Sequence, residues 1–177
     1  MGNERTMKKL DTLLAIYPIL LNGQIFYAIW FDDDYSKFRL ISSGEILAFR
    51  SEVEAEKSAG KFRKGLPIGR KQLLDLDACK KWVSKPSADS VDCDAFLSAY
   101  NAAGDYRNAA ARANLDIGDK KYLQITDKLF WGCNLPSVTP KGKSYSPIWT
   151  KEEVKELRTM LEESIAIFES KLSVRAR

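Results

Sequence analysis

Residues 13–31 read LLAIYPILLNGQIFYAIWF, and this stretch decides the fold. Leu13 to Leu21 is a continuous apolar run, Asn22-Gly23 follows it, and Gln24 to Phe31 is rich in aromatic and β-branched residues. Asn-Gly is a strong hairpin signal, because both central positions of a type I′ turn require positive φ. The stretch therefore predicts two antiparallel strands joined by a two-residue turn.

The β signal continues to residue 49. Asp32 to Lys37 is polar enough for a loop, Phe38 to Ile41 is again β-like, and Ile46 to Phe49 follows a predicted turn at Ser43-Gly44. These segments predict an antiparallel meander of about four strands, which forms one sheet with a face that other elements can cover.

Helical periodicity begins after Ser51. Ser51 and Glu54 match the S-x-x-E capping box, in which each side chain bonds the other residue's backbone N–H, so a helix is expected from Glu52 to about Ala59. Three further helices are indicated: one capped by Asp75 or Asp77 and running through Val83, one capped by Asp92 and running to about Asn114 with a candidate break at Gly104, and one within Asp119 to Phe130.

The last predicted helix is the most clearly marked. Thr150 and Glu153 form a second capping box, and Trp149 and Val154 stand where a hydrophobic staple would form. Packing against the domain, rather than into a partner's groove, is expected of its apolar stripe, which consists of Val154, Leu157, Leu161, Ile165, Phe168 and Leu172.

One domain of the α+β class accounts for the whole pattern. Residues 1–60 would form the amino-terminal antiparallel meander and a short helix, and residues 61–177 a mainly helical carboxy-terminal half. The 177 residues, 45% apolar and 29% charged, are enough to bury a packed core.

The chain contains no histidine. Histidine is the only side chain whose unperturbed pKa lies near neutrality, the commonest metal ligand and a frequent general base. The G-x-S-x-G and G-x-G-x-x-G motifs are also missing. We therefore expect a binding domain that is not an enzyme, with no catalytic residue and no cofactor; an enzyme built on carboxylates or lysine is the alternative.

The cysteines and the amino terminus bear on location. Cys79, Cys93 and Cys133 lie far apart, so they predict no metal centre, and such a sparse, odd set suits the reducing cytoplasm. Lys8 and Lys9 ahead of the apolar run imitate a signal peptide, but acidic residues intrude and the nine-residue run is too short to span a bilayer. No membrane association is expected.

Asp32, Asp33 and Asp34, followed by Tyr35, are the first candidate site. Alternate residues of an extended chain point the same way, so Asp32 and Asp34 could share a divalent cation. The three carboxylates could also face a basic partner, or simply occupy a solvated loop. Of the two functional interpretations we favour the partner surface.

A basic stretch runs from Lys57 to Lys85, where nine cationic residues face only Asp75 and Asp77. Charge clustered in this way attracts phosphates, and Phe62 and Trp82 could add stacking. This gives an alternative function, an RNA- or DNA-binding accessory module. A solvated surface with no ligand would have the same sequence pattern. The candidate nucleic-acid-binding residues are Lys61, Arg63, Lys64, Arg70 and Lys71.

The stretch Leu129 to Trp149 is hard to explain as scaffold. It combines several aromatic residues, among them Trp131 and Tyr145, with three prolines in a long connection. Long loops are often functional, and rigid aromatics dominate interface energetics. The rings could instead fold inward and hold the last two helices together. For a partner interface we expect Trp131 and Tyr145 to join the Asp32 to Tyr35 loop.

Two segments carry a resemblance to a known family: LFWGCNLPSVTPKGKSYSPIW, running into TKEEVKEL, and the hairpin segment IFYAIWFDDDYSKFRL. Together they resemble immunity proteins of bacterial contact-dependent growth inhibition systems, which are encoded beside polymorphic toxins. The resemblance implies a cytoplasmic, non-enzymatic protein that binds the carboxy-terminal toxin domain of a cognate effector and blocks its active site or its access to substrate.

Such toxins are often nucleases, and their inhibitors commonly offer acidic surfaces that mimic nucleic acid. This chain departs from that pattern because its formal net charge is +4. Either Asp32, Asp33 and Asp34 form a local acidic patch with other aspartates, or the inhibitor binds outside the toxin's active cleft. In both cases the partner is a protein, and nucleic acid is not expected to be bound directly. The further aspartates considered are Asp89, Asp92 and Asp94.

Overall fold

A computed structural model describes residues 13–115 and 121–175. The signal-like pattern at Lys8 and Lys9 and the predicted helix start at Asp119 lie outside these residues. The described strands are β1 (Leu13–Leu21), β2 (Gln24–Asp32), β3 (Ser36–Phe38), β4 (Ile46–Phe49), β5 (Ile68–Arg70), β6 (Leu74–Asp75) and β7 (Leu172–Val174). The described α-helices are α1 (Glu52–Phe62), α2 (Leu76–Ser84), α3 (Cys93–Ala111), α4 (Leu123–Gly132) and α5 (Lys151–Lys171).

The fold is α+β, as predicted: a sheet built mainly from the amino-terminal region, followed by a mostly helical half. The strand order is β5-β1-β2-β4-β7, with β3 also paired to β2 and β6 to β1. The β1–β2 hairpin is antiparallel along its whole length, from Leu13 opposite Asp32 to Leu21 opposite Gln24. Asn22 and Gly23 both have positive φ, as the predicted type I′ turn requires.

Both faces of the sheet are covered by helices. Alternate residues of β1 point to opposite faces, so Tyr17 and Ile19 belong to one apolar cluster and Leu14 and Ile16 to another. The first cluster contains buried residues of α2, α3, α4 and α5, and the second contains Ala55 and Ala59 of α1. The continuous apolar run of β1 therefore reflects burial on two sides, where the sequence had indicated one covered face.

Helix α1 forms without the predicted capping box. Ser51 occupies the N-cap position in extended conformation, but its side chain makes no capping hydrogen bond, so that prediction was wrong. The helix also continues past Gly60 to Phe62. Two buried alanines pack this helix on the sheet, and burial of that face stabilises it in place of the cap.

The other caps agree better with the sequence. Asp75 caps α2 through the amide of Ala78, and Asp92 caps α3 through the amide of Ala95. Helix α3 continues through Gly104 without a break. The Thr150 and Glu153 capping box of α5 is complete, with reciprocal hydrogen bonds of 3.1 and 2.8 Å.

Three short strands were not predicted from the sequence. Strands β5 and β6 run parallel to β1, and β7 runs parallel to β4. Leu172 was expected to end the apolar stripe of the last helix, but it is the first residue of β7. Each of these strands has only two or three residues, so its pairing depends on where the tertiary fold places it.

Asp77 of α2 connects the β1–β2 turn to the helical layer through hydrogen bonds. Its two carboxylate oxygens accept the backbone N–H groups of Asn22 and Gly23, each at 2.7 Å. Lys80, one turn along α2, donates to the side chain of Asn22 at 2.6 Å and to Glu169 of α5 at 2.5 Å. A single surface network therefore connects the turn, α2 and α5.

Replacing Asp77 with asparagine tests this network. In Asp77→Asn one acceptor oxygen becomes an NH₂ donor that faces a backbone N–H, so we expect a loss of about 1 kcal/mol in the free energy of unfolding. Urea denaturation measures it. The matched control is Asp75→Asn, which should change little because asparagine is an equally good N-cap. Equal effects of the two changes would contradict the role given to Asp77.

Candidate functional site

The Asp32 to Tyr35 loop, the first predicted site, carries charges of both signs. Asp33 forms ion pairs with Lys37 at 2.5 Å and with Arg63 at 3.0 Å. Asp32 accepts a hydrogen bond from Ser36, and Lys37 lies 3.7 Å from the ring centroid of Tyr35. The carboxylate of Asp34 is exposed, and the charge of its neighbour Asp33 is already neutralised by Lys37 and Arg63.

The pKa of Asp33 reflects both its partial burial and the cations beside it. Partial burial alone would raise the pKa of this carboxyl, but the hydrogen bonds from Lys37 and the Asp34 amide, with the charges of Lys37 and Arg63, hold it below its ordinary value. A carboxylate stabilised in this way is mainly a structural anion. Asp32 to Asp34 remain predicted partner residues. Their surface is less acidic than three consecutive aspartates suggest, because Lys37 and Arg63 pair with Asp33.

The basic stretch does not converge on one groove. Arg63 lies over the rings of Phe31 and Phe62 on the α1 side of the sheet, and Arg70 pairs with Glu52 at 3.2 Å. Lys71 lies 4.0 Å from the ring of Trp30, which belongs to the opposite apolar cluster. Lys61 and Lys64 are simply exposed. The sheet therefore separates cations that are adjacent in sequence.

Of the two aromatic residues considered for stacking in this stretch, Trp82 is not accessible. Its ring is buried against Phe96, and its indole N–H donates to the backbone carbonyl of Ser87 at 3.1 Å. Phe62 is half-buried and is already covered by guanidinium groups. This arrangement does not favour nucleic-acid binding along Lys57 to Lys85.

The aromatic residues of the second predicted site divide between core and surface. Trp149 is buried, in keeping with the inward-folded alternative, but Trp131 and Tyr145 keep 45% and 44% of their surface exposed. Ile148 is 86% exposed, a residue that the sequence analysis did not single out. The end of α4, with Trp131, and the loop after it, with Tyr145 and Ile148, thus present large apolar groups to solvent.

Asn134 fixes the course of this loop. Its side-chain oxygen accepts the backbone N–H of Tyr145 at 2.6 Å, and its amide donates to the backbone carbonyl of the same residue at 2.9 Å. Gly132 lets the loop approach α3 closely, since a Cβ there would lie 2.4 Å from Sγ of Cys93 and 2.8 Å from Pro147. The position of Tyr145 is therefore set before any partner arrives.

A groove of about 720 Å³ separates this loop from the start of α3, and we call it the acidic groove. Three carboxylates line it, and none of its described lining residues is a lysine or an arginine. Asp92 is engaged as the cap of α3, while Asp89 and Asp94 have no cationic partner within the described parts of the chain. The residues that matter here are Asp89, Asp92, Asp94, Tyr145 and Pro147.

The pKa values of two cysteine thiols reflect the negative charge of the acidic groove. Burial first, and then Asp94, Cys93 and Asp92, raise the pKa of Cys133 to about 11. Burial and Asp92 also raise the pKa of Cys93. Both thiols therefore stay protonated at neutral pH, which is unfavourable for a cysteine nucleophile.

The structure thus brings Tyr145 together with Asp89, Asp92 and Asp94, while Asp32 to Asp34 do not line the same groove. The sequence analysis had placed Tyr145 with the Asp32 to Tyr35 loop and had considered Asp89, Asp92 and Asp94 as further members of the same acidic patch. Between residues 13–115 and 121–175, no three histidine, cysteine, aspartate or glutamate side chains are arranged to hold a metal ion. None of the helices described here combines the length and apolar character needed to cross a bilayer.

The field in the acidic groove is testable through Cys133. Asp94→Asn removes a negative charge that disfavours the thiolate, so we expect faster alkylation of Cys133 by iodoacetamide at pH 8, followed site by site with mass spectrometry. Asp127→Asn, an exposed change on α4 outside the groove, is the control. If both variants react like the parent protein, Asp94 exerts no such field.

The ion pairs of Asp33 predict a pH dependence of stability. Because the folded pKa is depressed, the contribution is complete above the unfolded pKa of about 3.9 and is lost as the pH falls below it. Asp33→Asn should cost roughly 0.5–1 kcal/mol at pH 7, and this difference should shrink below about pH 4. Urea unfolding across pH measures both, and Asp34→Asn should be nearly neutral. A pH-independent loss would contradict the assignment.

No family model matches the chain, and no curated protein matches its sequence. One solved structure, the crystal structure of the SatS C-terminal domain in complex with bromine, is similar with a TM-score of 0.48 and 17% identity. The match covers 92% of this chain and 94% of that chain. A likeness of this size does not bear on what the present protein does.

Proposed function

We propose that this protein is an immunity protein, which binds the carboxy-terminal toxin domain of a cognate contact-dependent growth inhibition effector in the cytoplasm. It would act by occupying a surface of the toxin, without turning over a substrate. The observation that carries the proposal is the acidic groove, in which three aspartates and Tyr145 line one concave surface and no basic residue of the described chain joins them.

The charge of the acidic groove suits a basic partner. Asp89 and Asp94 are exposed carboxylates, so a cationic surface that covers them gains ion pairs that the free protein does not satisfy itself. Nuclease toxins hold the phosphates of their substrate with lysine and arginine, and an acidic groove can occupy the same residues. This answers the difficulty of the +4 net charge, because complementarity depends on the local surface.

The exposed aromatics supply the apolar part of such an interface. Trp131 and Tyr145 are of the residue types that most often dominate binding energy, and Ile148 adds apolar area on the same loop. Asn134 holds the loop in place, so little ordering entropy is lost on binding. The groove and this loop together therefore resemble a preorganised docking surface.

Co-expression with the toxin domain tests the proposal. The proposal requires a contact-dependent growth inhibition effector gene beside this one. The probe is the carboxy-terminal domain of that effector, and the readouts are growth rescue and the Kd of the purified pair. We expect rescue by the parent protein. Trp131→Ala should weaken binding by about 2 kcal/mol, roughly 30-fold, if it is a central anchor.

Charge variants locate the interface. The triple change of Asp89, Asp92 and Asp94 to asparagine keeps the α3 cap and should reduce the association rate and the rescue. The double change of Asp32 and Asp34 to asparagine, at the other predicted partner surface, is the control that distinguishes the two surfaces. Loss of rescue in the control alone would move the interface to the β2–β3 loop, and failure of the parent protein to bind or rescue would refute the proposed function.

A further inference from the structure

A second cleft, of about 650 Å³, has the opposite character, and we call it the basic cleft. It lies between the segment that follows β2 and the carboxy-terminal ends of α3 and α5. Among the described residues, no aspartate or glutamate lines it, although Asp33 is the ion-pair partner of Lys37. The cations lining the basic cleft are Lys37, Arg39, Arg112 and Lys171.

Arg39 is the unusual member of this group. Its guanidinium carbon lies 3.9 Å from the ring centroid of Phe62, so the ring covers one side of the group. The Nη1 atom is shielded from solvent and has no hydrogen-bond partner within the described structure. Burial lowers the pKa of Arg39, as expected for a cation without an anion beside it.

Arg112 and Lys171 lie at helix ends. Arg112 is the left-handed C-cap of α3, and Lys171 is the last residue of α5. Cations at helix carboxyl termini complement the dipole, which is reason enough for either residue alone. It does not account for Arg39, which belongs to no helix. Within the described parts of the chain, none of these three cations forms an ion pair.

Aromatic rings complete the basic cleft. Tyr35 and Tyr106 line it together with Phe62, so planar surfaces lie beside the unpaired cations. A carboxylate is satisfied by one guanidinium fork, whereas a phosphate presents more oxygens and more charge, which suits several cations. A flat base attached to that phosphate would find rings of a kind that stack well. The combination favours a nucleotide over an acidic peptide.

We propose that the basic cleft binds a nucleotide, with the phosphate held by Arg39, Arg112 and Lys171 and the base placed against Tyr35 or Tyr106. The phosphate would bind the partly exposed side chain of Arg39 through guanidinium donors other than the buried Nη1. The ligand is either a free nucleotide or one nucleotide of a single strand. This inference uses none of the residues of the acidic groove and stands apart from the proposed function.

Calorimetric titration of the full-length protein tests it, with 5′-AMP, inorganic phosphate, a twelve-residue oligouridylate and a polyglutamate peptide as probes in low salt. We expect saturable binding of 5′-AMP or the oligouridylate, with inorganic phosphate as a competitor. If 5′-AMP binds as tightly as the strand, the ligand is a free nucleotide. If the strand binds at least tenfold more tightly, with an affinity that falls steeply with salt, it is the strand.

Variants make the assignment specific. Arg39→Gln should weaken binding about tenfold or more, and Arg39→Lys should also weaken it, because lysine lacks the flat donor fork. The matched control is Arg50→Gln: Arg50 lies 5.6 Å from the ring of Phe26, outside the cleft. Lys171→Gln, an exposed change, gives a second test if Arg39→Gln alters the thermal unfolding curve.

Several outcomes would overturn the inference. The first is that neither nucleotide probe binds. The second is that Arg39→Gln and Lys171→Gln bind with the same affinity as the parent protein. The third is that Arg50→Gln loses as much affinity as Arg39→Gln. Preferential binding of polyglutamate would also overturn it, since the basic cleft would then recognise an acidic protein segment.

Discussion

Burial of the β1–β2 hairpin on both faces is the constraint on which the rest of the structure depends. Leu14 and Ile16 of β1 pack in the cluster that contains α1 residues. The opposite cluster, with residues of α2 to α5, contains Ala15, Tyr17, Ile19 and Leu21. Polar residues in the middle of either strand would be costly to bury, so chemistry-bearing side chains are confined to loops, helix ends and the rims between layers. Both clefts lie at such rims.

Local signals predicted the parts of the fold that local interactions hold together. The Asn22-Gly23 turn and the Thr150 and Glu153 capping box depend on residues a few positions apart, and both formed as expected. Ser51 shows the limit, because packing of α1 on the sheet was sufficient without the cap. The short strands β5, β6 and β7 have too few residues to carry a signal, and their partners are distant in sequence.

The candidate sites were harder to predict, because charged residues that are adjacent in sequence need not form one charged surface in the folded protein. Asp33 seemed part of an acidic cluster, but Arg63 reaches it from the end of the next helix. Asp94 and Tyr145 are far apart in the chain and meet across the acidic groove. The exposure of Trp131 could not be predicted from residue type either, since Trp149, at the other end of the same stretch, is buried. These pairings follow from topology, which the sequence pattern gives only coarsely.

The pairing of β4 with β7 has a consequence for biosynthesis. Ile46 pairs with Leu172, so one hydrogen-bonding edge of β4 stays unpaired until the much later segment that forms β7 has been synthesised. During translation that edge can recruit unrelated extended chains, a hazard that ends only when β7 emerges and docks. We therefore expect ribosome-bound intermediates to need protection by general chaperones, and slow codons between α3 and α5 to aggravate the problem.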